Sequence, residues 1–135
     1  MKKLGKKKHR VKPQEWYPMI CTPAYNGMVN MEFSQGLAES AFCSPLFQVK
    51  IMASIIKGGA FIDLTRNIFV MMFLNDKEFK DCTHLFFIDS DLKWSPNAFI
   101  GLVRSDLPIC AGVYPKRQEE EEYPVKLAEI GRAHV

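Results

Sequence analysis

Asp89 and Asp91, separated only by Ser90, follow a run of four apolar residues, Leu85-Phe86-Phe87-Ile88. Two carboxylates at that spacing can offer hard oxygen ligands to a divalent cation, Mg²⁺ or Mn²⁺, that also holds phosphate oxygens. The same tripeptide is equally ordinary turn chemistry, because Asp and Ser favour turns. The run before it suits a strand buried on both faces, as in a parallel sheet. In open α/β sheets ligands bind beyond the carboxyl ends of the strands. Acids at that edge stand where a phosphate-bearing ligand and its cation would meet.

Two further stretches carry candidate chemistry. Thr22-Pro23-Ala24-Tyr25-Asn26-Gly27 follows the apolar stretch Trp16 to Cys21. Pro23 biases Thr22 towards an extended conformation and Asn-Gly signals a turn, so the spacing predicts a first strand over 16–21 and a loop from Thr22. Asp63-Leu64-Thr65-Arg66-Asn67 opens an apolar helical stretch. There Arg66 can reach a ligand or simply pair with Asp63 at i, i+3, a surface contact of a few tenths of a kcal/mol.

The elements that must position these residues alternate. A helix is expected over 29–43, with Met31, Phe33, Leu37, Ala38 and Ala41 on one face and Ser44-Pro45 ending it. Leu46 to Ala53 alternates as a strand does, and Gly58-Gly59 then breaks the backbone. Phe61 to Leu74 reads as an amphipathic helix whose core face is Phe61, Leu64, Ile68, Met71 and Met72. Asn75 to Asp81 is a connection leading into the strand before Asp89. Ser95 is an N-cap and Pro96 a first helical residue, for a short helix to about Arg104. After the turn Asp106-Leu107-Pro108, residues Ile109 to Tyr114 read as a further strand. Strand and helix in alternation define an α/β class with crossovers and a mostly parallel sheet.

Composition narrows the function classes. Seven of the 18 basic residues lie within residues 1–12, leaving 11 basic against 15 acidic, a net charge of −4, on the remainder. That balance argues against a nucleic-acid-binding face on the folded part. The start of the chain, 1–14, reads as a disordered basic tail, available as a solubilising segment, a nuclear signal or a contact for anionic lipid. No secretory-type apolar region follows it, and the longest apolar run, Ile68 to Leu74, is far short of a transmembrane segment, which needs roughly 20 residues. Cysteines 21, 43, 82 and 110 show no CxxC spacing, and Cys21, Cys82 and Cys110 lie in or beside apolar stretches. They read as reduced and mostly buried, in a cytoplasmic compartment.

Taken in order, the Thr22-Pro23-Ala24-Tyr25 loop, the Asp63…Arg66-Asn67 helix start and the Asp89-Ser90-Asp91 strand end resemble the nucleotide-sugar-binding half of glycosyltransferases with the GT-A fold. The resemblance spans residues 17–117 and implies a Rossmann-like α/β/α domain over 15–117. It implies a glycosyltransferase that binds a nucleotide-diphosphate sugar and transfers the sugar to an acceptor hydroxyl. By that resemblance Thr22, Pro23, Ala24 and Tyr25 belong to the base and ribose pocket. Asp63, Arg66 and Asn67 belong to the nucleotide or phosphate side. Asp89 meets the ribose or the metal, Ser90 belongs to the same nucleotide-sugar pocket, Asp91 binds the metal directly, and the metal is Mn²⁺ or Mg²⁺. No catalytic base is assigned: in the family it comes later in the chain, and nothing selects among Glu119 to Glu122 in the acidic 118–135 segment. Residues 129–135, Glu-Ile-Gly-Arg-Ala-His-Val, look like the translation of a sequencing adapter, on which reading the natural protein continues beyond.

Two other classes fit parts of the pattern. Haloacid-dehalogenase-like phosphatases also place Asp-x-Asp after an apolar strand and use the first Asp as nucleophile. Their motif lies near the amino terminus with Thr or Val after it, whereas here Leu92-Lys93-Trp94 follows and several elements precede. A non-catalytic α/β nucleotide-binding module is the third class. Trp94 could stack on a sugar or pack; His84 reads as structural. Lys116 and Arg117 leave the expected last strand as solvated charges or phosphate contacts.

Overall fold

The computed structural model describes residues 15–58 and 61–114. The basic tail, Gly59, Lys116, Arg117, Glu119 to Glu122 and 129–135 lie outside the described residues. Among the described residues three strands and three α-helices alternate: β1 (Pro18–Tyr25), α1 (Met31–Cys43), β2 (Met52–Gly58), α2 (Ile62–Asn75), β3 (His84–Phe87) and α3 (Pro96–Arg104). The sheet is wholly parallel in the order β2-β1-β3, with Met19 opposite Met52 on one side and Leu85 on the other.

Alternation along β1 sends successive side chains to opposite faces. Ile20 joins Phe33 of α1, Val49, Ile88, and Phe99, Ile100 and Val103 of α3 in one core cluster. Met19 and Cys21 point to the other face and meet Phe69 of α2 and Phe79. Helices therefore cover both faces. The connection from β1 to β2 runs one way along the sheet and that from β2 to β3 runs back past β1. Crossovers of one hand then put α1 and α2 on opposite sides.

Several boundaries differ from the sequence expectations, each for a local reason. β1 continues through Thr22, Pro23 and Ala24 to Tyr25, where a loop was expected. Its pairing with β3 reaches only Cys21, so beyond that point β1 is paired on one side and tolerates a residue without an N–H. The second strand is Met52–Gly58, not 46–53. Ser44-Pro45 starts a 3₁₀ turn over Ser44–Phe47, closed by Gln48 at a left-handed φ of 60°. Val49 then makes only an isolated bridge with Trp16.

α2 forms where expected but docks by another side. Thr65 and Phe69 are its buried residues; of the expected face only Met72 packs against the core, while Phe61, Leu64, Ile68 and Met71 are exposed. The helix is apolar nearly all round, so periodicity cannot choose its inner face. Gly58 helps to fix it, since a Cβ there would lie 2.9 Å from Thr65 Oγ1. β3 is an edge strand, and its Phe87 is 39% exposed rather than buried on both sides. Ser95 caps α3 as expected, accepting from the Ala98 N–H at 3.2 Å.

Residues Ile109 to Tyr114 form no strand; Ile109 is 91% exposed. A strand exists only through pairing, and a cleft of about 640 Å³ separates this segment from β3. The segment follows α3 instead, with Cys110 Sγ donating to the Leu102 carbonyl at 3.5 Å. All four cysteines are free, but Cys110 is exposed, contrary to the expectation of burial. Among the described residues no helix is long and apolar enough to cross a membrane.

Candidate functional site

The order β2-β1-β3 sets β1 beside β3 while the chain leaving β1 departs towards β2. A crevice opens at the carboxyl end of such a switch point. β1 delivers Tyr25 to this edge and β3 delivers Asp89. Between them Ile88 extends the pairing through its N–H to the Cys21 carbonyl, at 3.2 Å, and is itself buried. The direction of the Asp89 side chain is thus set by a core residue one position earlier.

The acidic loop is held at several points. Leu92 N–H donates to the Asp89 carbonyl at 3.2 Å, closing a turn, and Asn30 N–H donates to the Ser90 carbonyl at 2.9 Å. The second bond ties the loop to the residue that precedes α1. Arg66 comes from the opposite face of the sheet, on α2. Its Nη2 donates to Asp89 Oδ1 at 3.1 Å, and both side chains are partly exposed. The guanidinium also lies 5.9 Å from the centre of the Phe87 ring. Arg66 therefore pairs with Asp89, 23 residues away, and not with Asp63.

The remaining predicted residues fall into two groups. Tyr25 is exposed at the strand end, followed by a turn with Asn26 and Gly27 at positive φ. Asp91 is exposed on the loop. Asp63 and Asn67 are exposed on α2 to either side of Arg66. Thr22 and Ala24, however, are fully buried and Pro23 is half-buried, so they lie within the sheet and not on an open surface. Thr22 Oγ1 is buried with no hydrogen-bond partner among the described residues.

Two contributors escaped the sequence reading. Lys57, at the end of β2, runs beside the turn, its side-chain carbons within 4 Å of where a Gly27 Cβ would be. A lysine just before Gly58-Gly59, at the carboxyl end of a strand, is the signal that could have found it. Asn30 contributes a backbone N–H, which no residue-type pattern reports. His84 sits at the other end of β3. There Thr83 Oγ1 accepts from the Tyr17 N–H and lies 2.8 Å from His84 Nδ1, a structural role.

The donor set fits only one kind of metal site. Among the described residues no three His, Cys, Asp or Glu side chains gather into a ligand cluster. Asp89 and Asp91 offer hard oxygens at one loop, and Asp89 is already engaged by Arg66. Such a pair suits Mg²⁺ or Mn²⁺ that takes its other ligands from water and substrate phosphate, not a cation caged by protein. No family model, curated protein or solved structure matches this chain.

Proposed function

We propose that the carboxyl edge of β1 and β3 is the donor site of a glycosyltransferase, binding a nucleotide-diphosphate sugar together with Mn²⁺ or Mg²⁺. The observation that carries this reading is the Arg66–Asp89 pair at the switch-point crevice. It joins two of the three sequence stretches that resemble the family, one on α2 and one at the end of β3. Tyr25, the last residue of β1, brings the third stretch to the same edge.

Each residue has a physical task. Tyr25 offers an exposed aromatic face to the base. Arg66 keeps guanidinium donors beyond the one spent on Asp89, and a planar guanidinium suits phosphate oxygens. Asp91 and Asp89 would hold the cation, which when bound would supply positive charge to stabilise the diphosphate leaving group. Asp89, fixed by Arg66, also presents its second oxygen to ribose. Lys57 adds a positive charge on the β2 side of the turn.

Ligand-induced stabilisation tests the reading. A ligand that binds only the native state at 100 times its Kd adds about 2.7 kcal/mol to stability. Melting should be followed with UDP, GDP, CMP and ADP, each with and without Mn²⁺. The expected result is an upward shift for one base that requires Mn²⁺ and is lost in Asp91→Ala. A cooperative melt that none of them moves counts against a donor site.

A further inference from the structure

Trp94 closes the acidic loop, and its surroundings are built to receive it. Gly36 of α1 faces the indole so closely that a Cβ there would lie 3.0, 3.1 and 3.2 Å from Cδ2, Cε2 and Cε3. Trp94 Nε1 donates to Ser40 Oγ, one turn further along α1, at 2.9 Å. Ser40 is fully buried, so this bond uses a polar group that water does not reach. The Phe33 ring meets the indole edge-on, with centres 5.2 Å apart. Three residues of one helix, at positions 33, 36 and 40, thus make a single slot. The loop's other end is tied to the same helix start through the Asn30–Ser90 bond.

From this we infer that Trp94 is a positioning residue: seated in the Gly36–Ser40 slot of α1, it holds the Asp89–Asp91 loop in the geometry needed to bind cation and nucleotide. The inference rests on the donor-site reading for what the loop binds. It explains a glycine in the middle of α1, where glycine costs helix stability. Any larger residue would push the indole, and with it the loop, outward. It also assigns Trp94 away from sugar stacking, since its indole N–H and one ring face are already used on α1. Supporting residues of this kind typically change metal affinity by 10–100-fold when altered.

The test compares Trp94→Phe, Gly36→Ala and Ser40→Ala with Val49→Ala. Val49 is buried in the same core cluster, but its bridge to Trp16 places it before the amino end of β1, away from the acidic loop at the carboxyl edge. Two readouts are taken: bound Mn²⁺ by electron paramagnetic resonance with each nucleoside diphosphate, and amide hydrogen exchange over residues 89–93. The expected result is at least about tenfold weaker Mn²⁺ binding in the slot variants. Exchange over 89–93 should be faster in them, while Val49→Ala keeps wild-type affinity despite its lower melting temperature. Ser40→Ala, the mildest change, serves if the larger ones do not fold. Wild-type binding with slot variants no weaker than Val49→Ala overturns the positioning role and leaves the donor site standing. Wild-type protein that binds no Mn²⁺ defeats the donor site, and unchanged exchange in Trp94→Phe or Ser40→Ala defeats the strut itself.

Discussion

Replacing Thr22 by valine should make the protein more stable. Thr22 is fully buried in the central strand, and its hydroxyl has no hydrogen-bond partner among the described residues. A buried hydroxyl without a partner costs about 1–3 kcal/mol of desolvation, and valine removes the hydroxyl while keeping the β-branched shape. A gain of 1 kcal/mol raises the melting temperature of a small domain by roughly 4–8 °C. Scanning calorimetry on Thr22→Val should therefore show a rise of about 4 °C or more. Burial also means that Thr22 does not touch a bound nucleotide, so the nucleotide-induced shift should equal that of the wild type. A fall in melting temperature would show that the hydroxyl has a partner and refute the packing argument. A raised melting temperature with the nucleotide shift abolished would return Thr22 to the binding pocket.

Three other outcomes follow from the geometry. In a double-mutant cycle of Arg66→Ala and Asp89→Ala without ligand, the partly exposed pair should show a coupling of about 0.5 kcal/mol in urea unfolding. A value near zero would mean that the pair is not formed in solution. Gly58→Ala should destabilise by about 1–3 kcal/mol through its contact with Thr65 Oγ1, and the loss should shrink in a Thr65→Ala background; equal losses in both backgrounds would contradict that contact. Burial, and next the neighbouring Cys82, push the Cys21 thiol from 9.0 up to about 12. The unfolded thiol ionises first as pH rises, so the stabilisation is complete below pH 9 and is lost on the way to about pH 12. The contribution to the slope approaches about 1.4 kcal/mol per pH unit, and Cys21→Ala should remove it.

The order of elements was legible in the sequence because punctuation marks it. Ser44-Pro45 ends α1, Asn26-Gly27 turns the chain, and Ser95-Pro96 starts α3 with the cap that those residue types favour. Faces and registers were less legible. Phe47, Val49 and Ile51 alternate like a strand but straddle a 3₁₀ turn and an isolated bridge, because alternation does not report hydrogen-bonding partners. The exposed stripe Phe61, Leu64, Ile68 and Met71 has helical spacing as good as that of the buried side through Thr65, Phe69 and Met72 and is the more apolar of the two. A helix apolar on several sides is oriented by shape, here by Gly58, and composition cannot show that. Ile109 to Tyr114 has strand composition, yet the cleft beside β3 leaves it without a pairing partner among the described residues.

At the site, the residue types were readable and their partners were not. Asp89, Arg66 and Tyr25 were picked out by position at strand ends and a helix start. That Arg66 reaches across to Asp89 in preference to Asp63 depends on β3 lying beside β1 and α2 lying beneath them, which is a tertiary fact. The family resemblance puts Thr22 and Ala24 in the pocket, on the expectation of a loop from Thr22 onward. The strand runs on, because β1 beyond Cys21 is paired only with β2.

Paramagnetic broadening by Mn²⁺ tests the central claim most directly, because it locates the cation without requiring turnover. Amide resonances of isotope-labelled protein would be recorded with each nucleoside diphosphate and substoichiometric Mn²⁺, using Mg²⁺ as the diamagnetic reference. Broadening should centre on Asp89 to Leu92, extend to Tyr25, Asn26 and Arg66, and disappear in Asp91→Ala. Broadening centred elsewhere on the protein, or unchanged in Asp91→Ala, would contradict that claim.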